Sequence, residues 1–311
     1  MNKLVSVIIP TIGRPDYIKG TIDSILMQDY KEIEVLVSDN LPNVSTQSVL
    51  GNIIDPRIKI IERNRRYNFS DHMNMCINDA QGTYIMILSD DDLLSSNYVT
   101  SMVTKFQEER DMMVGIGIQK VLSESDISIG TYETNCITKS FDGLEFMLAQ
   151  FRGKLEYPML TFISMFARRS DVLAMGGYKQ YADGSNADNY LFYSLALKGR
   201  VGLSGALMGY RIYMASSGLS TSFENLYNAT CIYDKDISNK IWATARKSFL
   251  YKLYLRLLLK KSSAHMMIYR LFKIYMTKMG KRTLVFNLIR VLVHFLPRNV
   301  FYYNHGCRKT Q

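Results

Sequence analysis

Residues 84–92 read Tyr84-Ile85-Met86-Ile87-Leu88-Ser89-Asp90-Asp91-Asp92. A short apolar run that stops abruptly at polar residues is the pattern of a strand buried on both faces. This one delivers three adjacent carboxylates to its carboxyl end. Three like charges repel unless something cationic sits among them. A hard divalent ion, Mn²⁺ or Mg²⁺, held by one or two carboxylates and completed by phosphate oxygens, satisfies such a cluster. The plainer alternative is a solvated acidic turn that caps the following helix, a position aspartates favour.

The sequence on the amino-terminal side repeats the motif of apolar run and polar end. Strands are expected at Leu4–Ile9, Ile33–Ser38 and Ile58–Ile61 besides Tyr84–Leu88. Amphipathic stretches lie between them: Pro15 to Gln28, opened by a first-turn proline, Ser45 to Ile54, and Ser70 to Gln81, opened by a serine cap. Alternating β and α segments predict a doubly wound α/β layout, in which ligands bind beyond the carboxyl ends of the strands. Thr11 to Arg14, Asp39-Asn40 and Ser89 to Asp92 are therefore expected to converge on one crevice.

Farther along, helices are expected from Ser95 to Arg110, Phe141 to Gln150 and Ala187 to Lys198. Strands are expected at Met112–Gln119, Ile127–Tyr132, Val201–Ser204 and Leu207–Tyr213, with a turn at Gly176-Gly177-Tyr178. After about Tyr227 the chain becomes helical and aromatic. The composition, 47% apolar and 21% charged, is that of a globular protein. The formal net charge of +10 is unevenly placed: residues 240–311 carry 16 Lys and Arg and no Asp or Glu, leaving residues 1–239 with 22 basic and 28 acidic side chains. Basic residues interleaved with Leu, Tyr and Phe read as cationic amphipathic helices. An anionic membrane surface is one expected partner for them, and a helical cap on the core is the other reading. Leu284, Leu288, Val291, Leu292 and Phe295 are interrupted by Arg290 and His294, a pattern for lying on a bilayer rather than crossing it. Cys76, Cys136, Cys231 and Cys307 are scattered without metal-site spacing, as expected of reduced cysteines in a cytoplasmic protein. The opening apolar run is cut by Pro10 and Gly13, too short for a secretory core or a membrane span. Charge alone would also allow nucleic acid, but no recognition motif supports it and none is expected as a partner.

The opening VSVIIPTIGRPDYIKGTIDSILMQDYKEIEVLVSDN, followed from Asn74 by the pattern NxxIxxAxGxYIxxLSDDDLL, resembles family 2 glycosyltransferases of the GT-A fold, closely over residues 4–110 and weakly to about 220. The resemblance implies a Rossmann-like nucleotide-binding mixed sheet flanked by helices, here with a helical basic C-terminal extension. It divides the chain into a catalytic domain over residues 1–230, with a nucleotide-sugar half to about 110 and an acceptor half after it, and a helical region over 231–311. It implies that Asp39 contacts the nucleobase, that Thr11 lines the nucleotide pocket, and that Asp90, Asp91 and Asp92 hold the divalent metal and diphosphate, with Asp91 the leading ligand. Asn40 stands where family members often carry a second acidic residue.

Gly176-Gly177-Tyr178 followed by Asn186-Ala187-Asp188 is similar to the family segment that carries the catalytic base, which implies that role for Asp188. An attacking hydroxyl must lose a proton, and a carboxylate within reach can take it. The structural alternative is a first-turn aspartate favoured by the helix dipole. Arg14, Arg65, Arg66 and His72 lie on segments near the expected crevice, and an arginine there would suit a diphosphate. Tyr210-Arg211-Ile212-Tyr213 with Ser216-Ser217 resembles a late family segment. The implied activity is inverting transfer of a sugar from a nucleoside diphosphate donor, UDP foremost, to a glycan or lipid-linked saccharide during surface-polysaccharide assembly. The expected location is cytoplasmic or peripheral on the inner membrane face. A sugar nucleotidyltransferase and a catalytically silent glycan- or membrane-binding relative are the rival readings. A P-loop and a dinucleotide fingerprint are absent from the sequence.

Overall fold

The computed structural model describes residues 3–12, 15–40, 54–122, 139–155, 162–181, 184–210, 223–244 and 247–277. The chain divides into two compact units, Met1–Ser263 and Ala264–Gln311. Within the second, the described residues continue the last helix to Thr277.

Four short, apolar strands open the first unit: β1 (Val5–Thr11), β2 (Ile33–Asp39), β3 (Ile58–Glu62) and β4 (Tyr84–Ile87). They pair in parallel in the spatial order β3-β2-β1-β4. The crossovers include α1 (Pro15–Leu26) and α2 (Phe69–Asp79). Alternating residues of β1 enter different cores: Val5, Val7 and Ile9 pack with Ile18, Ile22 and Ile25 of α1, whereas Ile8 packs with Met73, Cys76 and Ile77 of α2. Burial on both faces explains why these strands read as continuous apolar runs.

Beyond β4 the sheet becomes mixed. β5 (Leu93–Leu94) leads into α3 (Tyr98–Glu108), then β6 (Met112–Val121), β7 (Lys139–Asp142), α4 (Gly143–Phe151), β8 (Phe166–Arg168), α5 (Arg169–Ala174), α6 (Ala187–Ala196) and β9 (Arg200–Tyr210). The three-residue β8 is antiparallel to β4 and β6, β6 runs parallel to β9, and β5 and β7 pair antiparallel with β9. This is the mixed sheet flanked by helices expected of the GT-A fold. Two further helices follow, α7 (Phe223–Ala243) and α8 (Phe249–Thr277). Ala229, Tyr233, Ile237 and Ile241 of α7, with Leu255 and Leu259 of α8, are buried in the core that also holds α6.

Several local expectations are corrected. The cap of α2 is Asn68, whose side chain accepts from the Asp71 amide, so the helix starts before Ser70. Phe141 belongs to β7, because Asp142 caps α4 by accepting from the Leu144 amide. Leu93 and Leu94 form a strand, so the helix expected from Ser95 begins at Tyr98. The two strands expected at 201–213 are one strand to Tyr210, with a register shift near Ser204 absorbed against β6. The helix expected at 45–54 falls on residues of which only Ile54 is described, and the strand at 127–132 lies wholly outside the described residues.

Candidate functional site

The residues expected to bind the nucleotide meet at the carboxyl ends of β1, β2 and β4. Thr11 ends β1 and pairs in register with Asp39, the last residue of β2. Parallel neighbours of this kind lie about 5 Å apart. The Thr11 hydroxyl donates to Asp90 Oδ2 at 2.6 Å. Thr11 therefore joins the β2 aspartate to the aspartate triplet, and it is itself 2% exposed. Asp39, Asp90, Asp91 and Asp92 are all buried, so a strand end and the neighbouring turn carry four carboxylates shielded from bulk water.

The triplet forms the turn between β4 and β5, and both flanks of that turn are fixed. Upstream, the Leu88 amide donates to the Ile8 carbonyl. Downstream, Leu93 and Leu94 pair with Gly209 and Met208 of β9. Gln28, fully buried beyond α1, donates to the Ser95 carbonyl and accepts from the Val99 amide. The Asp92 amide closes the turn on the Ser89 carbonyl at 3.2 Å. A short turn held at both ends keeps its carboxylates in place before any ligand arrives, which is the requirement for electrostatic preorganisation.

The β2 end is braced from below. Asn40 exchanges two hydrogen bonds with Tyr67: its Nδ2 donates to the Tyr67 carbonyl at 3.0 Å, and the Tyr67 amide donates to its Oδ1 at 2.9 Å. The Arg63 amide donates to the Asp39 carbonyl. The Arg63 side chain runs under the strand, donating from Nε to Ser38 Oγ and from its terminal nitrogen to Asp79 at 2.6 Å. Ser38 Oγ also lies 2.8 Å from His72 Nε2, in a hydrogen bond whose direction follows the imidazole tautomer. Burial, and then the charge of Arg63, hold the His72 pKa down at about 4. His72 is thus a buried brace under β2, not a group facing the crevice. Arg65 and Arg66 are exposed, and Arg65 stacks over Tyr67. Arg14 lies outside the described residues, as do Arg211 to Tyr213, Ser216 and Ser217.

Asp188 occupies the first turn of α6, a segment separate from the strand ends. The chain enters α6 through Asn186, whose φ of 65° makes it the single non-glycine residue with positive φ among the described residues. Asn186 donates to Thr230 of α7 and accepts from Asn189. Such a conformation costs energy and persists only where neighbours enforce it. The negative charge of Asp188 helps burial to raise the phenol pKa values of Tyr178, Tyr193 and Tyr233.

Helix α2 joins β2 to the segment that precedes α6. While His72 braces β2, Asn74 on the same helix clamps Tyr178: its Nδ2 donates to the Tyr178 carbonyl at 2.9 Å and its Oδ1 accepts from the Tyr178 amide at 2.8 Å. Gly177 lies against this clamp with φ of 66°, and a Cβ there would stand 2.2 Å from Asn74 Oδ1. Ser70 donates to the Lys179 carbonyl, and Phe69 meets Tyr178 edge to face. Asn74 was visible as the first residue of the NxxIxxAxGxY pattern, but its task depends on a segment more than a hundred residues away.

Asp90, Asp91 and Asp92 offer a hard oxygen donor set that fits Mn²⁺ or Mg²⁺. Among the described residues no group of three or more His, Cys, Asp or Glu side chains forms a ready-made metal cage. A cation here would draw its remaining ligands from a diphosphate and water, the usual arrangement for Mg²⁺ at phosphate sites.

Comparison with known proteins follows the same lines. The chain is 26% identical over 246 residues to the GalNAc(5)-diNAcBac-PP-undecaprenol beta-1,3-glucosyltransferase of Campylobacter jejuni, covering 72% of this chain and 75% of the relative. It is 30% identical over 108 residues to the UDP-Glc:alpha-D-GlcNAc-diphosphoundecaprenol beta-1,3-glucosyltransferase WfaP of Escherichia coli, covering 35% of this chain and 43% of the relative. The chain thus spans three quarters of the first relative and less than half of the second. The crystal structure of S. aureus TarS 1-349 in complex with UDP-GlcNAc superimposes with a TM-score of 0.62 at 14% identity, over 83% of this chain and 71% of TarS, a likeness of fold. Residues 6–172, more than half the chain, match the profile of glycosyl transferase family 2, and they carry every strand end of the crevice. The chain belongs to glycosyl transferase family 2.

Proposed function

We propose that this glycosyltransferase moves a sugar from UDP to a hydroxyl of a lipid-linked saccharide during surface-polysaccharide assembly, with inversion at the anomeric carbon. The observation that carries the reading is Thr11 standing between Asp39, its partner in register, and Asp90, which accepts its hydroxyl. One buried residue thereby couples a nucleoside-side carboxylate to a diphosphate-side one. The relatives' own substrates, a UDP sugar for WfaP and saccharides linked through a diphosphate to undecaprenol for both, support the donor and acceptor classes.

In this reading Asp39 hydrogen-bonds the nucleobase, Thr11 lines the nucleoside pocket, and Arg14, outside the described residues, is assigned to the diphosphate. Asp90 faces the diphosphate, and Asp91 and Asp92 hold Mn²⁺ or Mg²⁺ against it. When bound, the metal neutralises charge on the departing diphosphate. Asp188 takes the proton of the acceptor hydroxyl as that oxygen attacks the anomeric carbon, and the bond to the diphosphate breaks. The fixed triplet turn lets the carboxylates act without reorganising. The domain reading follows: residues 1–110 bind the nucleotide sugar, 111–230 face the acceptor, and 231–311 form the helical basic region. A lipid-linked acceptor also requires the enzyme to work at a membrane surface, the inner face of the cell membrane in this proposal.

Calorimetric titration with UDP, GDP and dTDP, with and without Mn²⁺, tests the donor site. UDP binding that needs Mn²⁺ and is lost in Asp91→Ala is expected. Asp188→Asn is expected to keep that binding and lose transfer. If the folded protein bound none of the three nucleotides, the donor-site reading would fail; full turnover by Asp188→Asn would remove Asp188 as the base.

A further inference from the structure

Helix α8 is apolar on two opposite sides, and among the described residues only one of them packs against the core. Leu255 and Leu259 are fully buried against the core. At 3.6 residues per turn, Phe249, Leu250, Leu253, Tyr254 and Leu257 fall on an arc of roughly 140° centred on the opposite side. All five are exposed, with Phe249 at 65%, Leu250 at 74% and Leu257 at 58%. Large apolar side chains this exposed are usually scattered singly on a protein surface; a contiguous stripe marks an interaction site.

What surrounds the stripe identifies its partner. Residues 249–263 contain Lys252, Arg256, Lys260 and Lys261 and no acidic residue. Lys252, Arg256 and Lys260 lie along one flank of the stripe by helical position. Arg152, at the end of α4, donates to the Tyr254 hydroxyl and stacks over its ring, adding a cation at that edge. Two carboxylates of this region are occupied: Glu145 pairs with Lys247, and Asp234 accepts from Ser263. The chain's one tryptophan, Trp242, lies at the α7–α8 corner with its ring 5.1 Å from that of Phe249 and the Arg256 guanidinium over it. Leucines on one side, cations beside them and Trp and Tyr at the rim form the composition of a helix lying in a lipid headgroup layer. No described helix is long and apolar enough to cross a membrane.

We propose that the face of α8 formed by Phe249, Leu250, Leu253, Tyr254 and Leu257 docks on an anionic lipid bilayer, with the leucines entering the acyl boundary and the flanking cations meeting lipid phosphates. The inference rests on the surface of α7 and α8 and stands apart from the donor chemistry, so vesicle binding and nucleotide binding can fail independently.

The test uses the full chain with vesicles of phosphatidylcholine alone and of phosphatidylcholine with phosphatidylglycerol. Trp242 serves as the built-in reporter. Vesicles containing phosphatidylglycerol are expected to shift its emission to the blue, and brominated acyl chains to quench it. Leu250→Glu with Leu257→Glu is expected to weaken partitioning by roughly tenfold per leucine, from the burial each forfeits. Lys260→Gln is expected to cost roughly fivefold, and the parent's advantage on anionic vesicles should shrink in high salt. Both leucines are exposed, and an unchanged circular-dichroism spectrum and Tm check that the variants fold. The proposal is overturned if the parent ignores anionic vesicles. It is also overturned if binding leaves Trp242 emission unchanged and survives the leucine variants, which places the contact elsewhere in the chain. Concentration-dependent self-association that the leucine variants abolish, without vesicle binding, would assign the stripe to a second copy instead.

Discussion

Removing the Asn74 clamp should damage catalysis from a distance, and by a predictable amount. Asn74→Ala deletes two hydrogen bonds, at 2.8 and 2.9 Å, and strands the amide and carbonyl of Tyr178, a residue 2% exposed. A buried backbone group left unsatisfied costs about 1–3 kcal/mol, so the pair should cost about 3 kcal/mol. For a unit of this size that lowers Tm by roughly 6–12 °C. Gly177→Ala attacks the same clamp from the other side. Its φ of 66° is a left-handed conformation that costs an alanine about 1 kcal/mol, and the new Cβ would stand 2.2 Å from Asn74 Oδ1 and expel the carboxamide. The single variant should therefore lose about 4 kcal/mol. The clamp can be lost only once, so the double variant should also lose about 4 kcal/mol, with a coupling near 3 kcal/mol. Chemical denaturation of the four proteins measures the cycle. Metal-dependent UDP binding should persist in all of them while glycosyl transfer falls, because the clamp fixes the segment leading to Asp188 and not the strand ends. Additive losses, or nucleotide binding that falls in step with transfer, would refute the account of α2 as the link between β2 and the segment leading to Asp188.

His72 gives the fold a defined acid sensitivity. Its folded pKa of about 4 lies below the unfolded value of 6.5, so between those limits the unfolded chain holds the extra proton and stability falls as pH falls. The loss should reach about 3 kcal/mol by pH 4 and be absent above about pH 7. Unfolding measured against pH for the parent and His72→Gln should show this slope only in the parent; parallel curves would mean that His72 is not a buried neutral brace. Thr11→Val keeps the shape of β1 and removes the hydroxyl that Asp90 accepts. It should cost about 2 kcal/mol of stability, as for a hydrogen bond to a charged group, and weaken metal-dependent UDP binding by roughly tenfold. Unchanged UDP affinity in calorimetry would separate Thr11 from the nucleotide site.

The strand ends were readable because each is written locally. A run such as Tyr84–Leu88 admits few structures other than a doubly buried strand, and Thr11, Asp39 and Asp90–Asp92 follow such runs directly. Parallel neighbours then align their ends, so polar residues distant in sequence meet as Thr11 and Asp39 do. The amphipathic spacing of α1 and α2 and the placement of basic charge in residues 240–311 were equally plain. These features depend on periodicity and composition, which a chain carries whatever its partners are.

Only the tertiary structure decided the rest. Phe166–Arg168 becomes β8 because β4 and β6 offer hydrogen bonds on either side; three residues contain too little pattern to announce a strand. Asn68 rather than Ser70 caps α2, since either side chain could accept and only the path of the chain selects one. His72 lies under β2 beside Ser38 and Arg63, three residues that only the folded chain brings together. The positive φ of Asn186 and the grip of Asn74 on Tyr178 each depend on a partner brought from a distant segment. Whether the leucines of α8 face the core or water was likewise unwritten in a helix apolar on two sides. Leu255 and Leu259 went inward, and the stripe from Phe249 to Leu257 was left outside. Local sequence specifies what each segment can become, and contact across the fold selects which side chains meet.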